Sequence, residues 1–175
     1  MSQDPRDLEV PPVAKSVTVP VPAERAFEIF AGQPLEWWPS HHKLVPGERV
    51  SIVFERTVGG LFHEADADGE KAVWGRILEW DPPRRIAMTW RIDGRWQPIA
   101  DDEKASEIEV DFTPNGPDST LVQLAHVKLW KHGEYAQSIR AALEGPSPGD
   151  TLEKFARVVD KVLADEKQQR EAQAA

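Results

Sequence analysis

The chain has 175 residues, of which 29% are charged, a formal net charge of −9 and no cysteine. That length fits one domain with a real core. The acidic balance argues against nucleic acid as a partner, and neither disulfides nor thiolate chemistry is available. No apolar signal region or membrane-length apolar run occurs, so the reading is of a cytoplasmic protein without membrane insertion.

Residues 1–12 are charged and proline-bearing and are expected to be flexible. A first strand is predicted over Val13–Val19, ended by Pro20 and Pro22. Pro22 suits the first position of a helix whose apolar residues Ala23, Ala26, Phe27, Phe30 and Ala31 recur at three and four, and Gly32 suits its cap. From Gln33 to Gly47, which includes Trp37, Trp38, His41 and His42, neither period holds, and the segment reads as a loop folded over the rim of the domain.

From Val50 to Leu129 the pattern is of short antiparallel strands punctuated by turns such as Gly59-Gly60, Asp93-Gly94 and Asn115-Gly116-Pro117. Glu107, Glu109 and Asp111 alternate with Ile108, Val110 and Phe112, giving one acidic and one apolar face. Ile86, Met88 and Trp90 share a face, as do Val122, Leu124 and His126. Beyond Trp130 a short helix carries Tyr135, Ile139, Ala142 and Leu143 and ends at Gly145-Pro146. A longer one follows, with Asp150 and Glu153 as a capping box and an apolar stripe of Leu152, Phe155, Ala156, Val159, Val162 and Leu163. Residues 165–175 are polar and are expected to be flexible.

A strand, a helix, six antiparallel strands and a long last helix give the order β-α-β6-α, with an extra short helix before the last. This resembles the α+β helix-grip fold of START and Bet v 1-like proteins, in which a curved sheet closes around the C-terminal helix. Three stretches carry the resemblance: Ala26-Phe27 through Trp37-Trp38-Pro39, Phe54-Glu55 through Gly59-Gly60 to Glu64, and Trp74-Gly75-Arg76 through Trp80-Asp81-Pro82-Pro83 to Ile86. They are similar to the START-like SRPBCC superfamily, and within it to single-domain bacterial relatives of the activator of Hsp90 ATPase. The resemblance implies one domain over residues 13–164.

It also implies a cavity between sheet and last helix, and seven tryptophans offer either core or pocket wall. One reading is binding of a small apolar or amphipathic ligand by Phe62, Trp74, Trp90, His126, Trp130, Tyr135 and Phe155, with Trp37 and Trp38 near the mouth. Tyr135 belongs to a segment, Lys131 to Glu144, that reads as a lid or as core closure. A second reading is a protein-interaction module acting on a chaperone, with Glu107, Glu109 and Asp111 as its contact surface. A third is an enzyme that uses an inward His126 with Glu64, a carboxylate on the Phe62 face whose desolvation would suit acid–base work. Neither residue is committed to catalysis.

The adjacent His41 and His42, with His63 and His132 scattered, match no spaced ligand set, so no metal is expected. Gly59-Gly60 lacks the sequence of a phosphate loop and reads as a tight turn, and no cofactor is expected. A homodimer is compatible with this reading, although no interface is legible.

Overall fold

The structure, a computed structural model, describes residues 5–40, 42–145 and 151–174. Seven strands form one antiparallel sheet: β1 (Val13–Val19), β2 (Arg49–Phe54), β3 (Leu61–Asp66), β4 (Lys71–Asp81), β5 (Arg85–Trp90), β6 (Ser106–Pro114) and β7 (Thr120–Val127). Their order is β1-β7-β6-β5-β4-β3-β2, so six strands meander and the first returns to pair with the last. Val13 lies opposite His126 and Val19 opposite Thr120. Alternation sets the faces: in β6, Ile108, Val110 and Phe112 are buried while Glu107, Glu109 and Asp111 point outward.

The sheet bends where its register shifts, between Phe62 and His63 in β3 and between Ile77 and Glu79 in β4. Gly75 sits at this bend. A Cβ there would lie 1.8 Å from the Thr89 carbonyl oxygen, so β5 approaches β4 closely only because position 75 has no side chain.

The helices are α1 (Arg6–Glu9), α2 (Ala23–Gly32), α3 (Pro34–Trp37), α4 (Ala136–Glu144) and α5 (Thr151–Ala174). The apolar stripes of α2 and α5 meet inside the curved sheet, where Phe30 stacks on Trp37 at 4.1 Å and meets Phe112 and Phe155 edge-on. Leu152, Phe155 and Val159 are the buried residues of α5. Full burial of one such side chain contributes roughly 1.5–3 kcal/mol, so this aromatic centre is a principal source of stability.

One expectation needs revision. Within the expected rim loop, Pro34–Trp37 forms a turn of helix, and Trp37, only 1% exposed, donates its indole N–H to the Phe30 carbonyl at 2.9 Å. At the N-terminus, Arg6 lies 3.5 Å over the Trp130 ring, and the Trp130 indole donates to Asp7 at 3.1 Å. Gln137 and Arg140 donate to the Glu9 and Pro11 carbonyls. At the other end α5 continues past Asp165 to Ala174, with an ion pair between Arg25 and Glu166 joining it to α2. His41, the Gly145-Pro146 stop beyond Gly145, the Asp150 cap, residues 1–4 and Ala175 lie outside the described residues.

Candidate functional site

The concave end of the sheet beside β1 and β7 holds a cavity of about 50 Å³. Its walls are apolar: Val13, Trp38, Pro39, Trp90, Ile108, Leu124, Leu143 and Leu152. Four polar side chains reach it, Lys15 from β1, His126 from β7, Thr151 from the start of α5, and His42 from the segment that crosses the sheet. Strand alternation explains the first two, because Val13, Lys15, Val17 and Val19 share one face of β1 and Val122, Leu124 and His126 one face of β7.

His126 is the chemically distinctive wall. Its ring meets Trp90 edge-on at 5.2 Å, and its Nδ1 is buried without a hydrogen-bond partner. Burial, with lesser contributions from His132, Lys15 and His42, pushes its pKa down to about 3. The imidazole is therefore neutral at neutral pH, able to donate at one nitrogen and accept at the other. Lys15 anchors its ammonium on the Gly145 carbonyl at 2.8 Å. The Trp38 indole N–H is also buried without a partner, an unusual condition for a buried donor.

His126 and Glu64 are not brought together. Strands β6, β5 and β4 lie between β7 and β3. The Glu64 carboxylate, 0% exposed, is occupied by the Leu44 and Val45 N–H groups at 2.8 and 2.9 Å, the Trp74 indole at 2.5 Å and Arg49 at 3.2 Å. These contacts make it the anchor that ties residues 44–45 to the sheet.

Among the expected ligand contacts, Trp38, Trp90 and His126 line the cavity. Trp37, Phe62 and Phe155 are core, and Phe62 stacks on Phe54 at 4.2 Å. Trp74 is buried against Trp38 and faces a separate cleft. Trp130 and Tyr135 face an open groove on the other side of His132. His132 hydrogen-bonds the buried Ser106 hydroxyl at 2.8 Å, and burial lowers its pKa to about 4. Sequence reasoning missed Lys15, whose signal was a lysine at an inward position of an otherwise apolar alternation. His42, Leu143 and Thr151 arrive through loop and helix geometry that periodicity does not encode.

The acidic face is internally paired. Arg85 bridges Glu109 and Asp111 at 3.2 and 2.9 Å, and Lys128 pairs with Glu107 at 2.9 Å. Among the described residues no group of three or more His, Asp or Glu could hold a metal ion, and no helix is long and apolar enough to cross a membrane.

Residues 20–147 match the family described as Activator of Hsp90 ATPase homolog 1-like protein. The chain belongs to this family. The Activator of Hsp90 ATPase homolog 1-like fold, START-like and of the SRPBCC type, is shared with solved structures. Anthrahydroquino-γ-pyrone synthase Txn09, solved in complex with a compound designated SUM, is 58% identical, the match covering 85% of this chain and 97% of Txn09 with a TM-score of 0.59. CalC from Micromonospora echinospora, a self-sacrificing resistance protein, is 27% identical over 87% of this chain and 96% of its own (TM-score 0.59). Protein MLL2253 from Mesorhizobium loti, 17% identical over 86% of this chain and 97% of its own (TM-score 0.60), shares the fold. No curated protein matches the sequence.

Proposed function

We infer that this protein is a small-molecule cyclase that closes a γ-pyrone ring on an anthrahydroquinone-type substrate. The observation that carries the reading is its 58% identity to Txn09 over 85% of this chain and 97% of Txn09. The apolar cavity, with the neutral His126 and Lys15 among its four polar side chains, supports it, since a fused aromatic needs apolar walls and its ring closure needs a few placed polar groups.

The chemistry is balanced without a redox partner. An aryl hydroxyl attacks the distal carbonyl carbon of an ortho 1,3-dioxo side chain, forming a C–O bond. The former carbonyl oxygen then leaves as water with the hydroxyl proton and one proton from the intervening carbon. A neutral His126 imidazole accepts the hydrogen bond of the attacking hydroxyl, and the Lys15 ammonium offsets charge developing on the carbonyl oxygen. Trp38, whose N–H has no protein partner, provides a donor for a substrate oxygen.

A cavity of about 50 Å³ is far below the roughly 300–1,000 Å³ of ligand sites, so substrate entry requires its walls to part. The test is incubation of the full chain with a dithionite-reduced 1-hydroxyanthraquinone bearing a 2-(1,3-dioxobutyl) chain. A product lighter by one water, formed faster than in buffer and lost in His126→Ala, is expected. Equal rates with and without protein would overturn the reading.

A further inference from the structure

We propose that the cleft lined by Trp74, Trp90 and Trp96 is a second compartment of the same site, which takes the far rings of a planar fused-ring ligand with Trp96 closing over them. The ligand class rests on the cyclase reading, while the compartment rests on geometry.

The cleft has a volume of about 180 Å³ and is lined by three indoles together with His42, Lys43, Leu44 and Ile92. His42 and Trp90 also line the inner cavity, so the two spaces are neighbours across those side chains. Together they approach the lower end of the ~300–1,000 Å³ range of ligand sites, which the inner cavity alone does not. A flat polycycle with one oxygenated edge at His126 would lay its remaining rings among the indoles, whose faces suit offset or edge-on aromatic contact.

Trp96 is placed there against local preference. Its φ of 63° lies in the left-handed region that bulky residues rarely adopt. A tight turn imposes it. The Asp93 carboxylate accepts the Arg95 and Gln97 N–H groups at 2.8 and 2.9 Å, and its carbonyl accepts the Trp96 N–H at 3.1 Å. The turn is seated on Tyr135, whose Cβ would lie 2.6 Å from a Cβ on Gly94, and Arg95 donates to the Tyr135 hydroxyl at 3.1 Å. The outcome is an indole 43% exposed to solvent, touching Trp90 edge-on at 5.9 Å and rimming the cleft. Burial in a core does not account for a side chain so held, whereas covering a flat ligand does.

Calorimetric titration of the full chain with 1,8-dihydroxyanthraquinone tests this. Trp96→Ala is expected to weaken binding about tenfold or more, and Trp96→Phe, which keeps an aromatic face, to recover most of it. Unchanged affinity in Trp96→Ala, an equal loss in Trp96→Phe, or no binding by the wild type would overturn the proposal. The two readings separate cleanly. A protein that binds the probe through Trp96 but closes no ring retains the compartment and loses the reaction, and one that closes the ring with an unaltered KM in Trp96→Ala does the reverse.

Discussion

The Glu64 carboxylate receives the Trp74 indole N–H at 2.5 Å, in a position with no solvent exposure. One carboxylate thereby fixes an aromatic wall of the cleft and, through the Leu44 and Val45 N–H groups, the segment that brings His42 over the cavity. Its removal strands three donors and leaves Arg49 without that acceptor. Glu64→Ala should cost about 3–5 kcal/mol, lowering the melting temperature on the order of 10 °C. Calorimetry checks this, and a change within a degree would show that the network is not cooperative.

Acid sensitivity should come from the two buried imidazoles. The His126 pKa falls from 6.5 to about 3 and that of His132 to about 4. Below pH 6.5 the unfolded chain takes up these protons while the folded chain does not, so stability is full above that pH and declines as pH drops towards 4 and 3. The slope is about 1.4 kcal/mol per histidine per pH unit. Urea unfolding at pH 7, 6 and 5 should show it, and the double variant His126→Gln/His132→Gln should be flatter. Parallel slopes in both proteins would assign the acid sensitivity elsewhere.

Asp102 holds the loop that ends at Ser106. Arg91 pairs with it through two hydrogen bonds of 2.8 and 2.9 Å, and Thr89 and Arg76 add two more. Arg91 first, against the opposing effect of burial and with help from Thr89 and Arg76, holds its carboxyl well below the usual carboxylate range. Asp102→Asn should cost about 1–3 kcal/mol, since the carboxylate is partly solvated. Hydrogen exchange should then accelerate across residues 91–105. Unchanged protection there would show that the backbone bonds, such as Ile99 N–H to the Arg91 carbonyl at 3.0 Å, suffice.

Backbone conformation at position 96 predicts an inversion of the usual order of substitutions. Both Trp96→Ala and Trp96→Gly remove the indole, but only glycine adopts the φ of 63° freely. Trp96→Gly should therefore be more stable than Trp96→Ala by about 1 kcal/mol. Denaturation midpoints decide it, and a more stable alanine variant would mean that the turn relaxes.

The strands and both long helices were legible because their periods are written in apolar residues: Val13–Val19 and the Ile108, Val110, Phe112 alternation recur in the structure as β1 and β6. The site was less legible because a tryptophan has the same apolar character in core and in pocket. Trp37 and Trp38 are adjacent, yet one has its indole N–H satisfied by Phe30 and the other lines the cavity with none. That difference depends on where a one-turn helix ends. His126 was readable as inward-facing and Glu64 as sharing the Phe62 face, its direction hanging on register, but their separation depends on strand order across the curled sheet, which no local pattern records.

Trp90 touches Trp96, His126 and His132 and borders both compartments, whereas Trp130 is held by Arg6 and Asp7 and lines neither. The fold thereby carries its own internal reporter and its own reference signal. In protein labelled with 5-fluorotryptophan, a ligand entering from either side should shift the Trp90 fluorine resonance more than that of Trp130, so occupancy can be followed spectroscopically before any product is known.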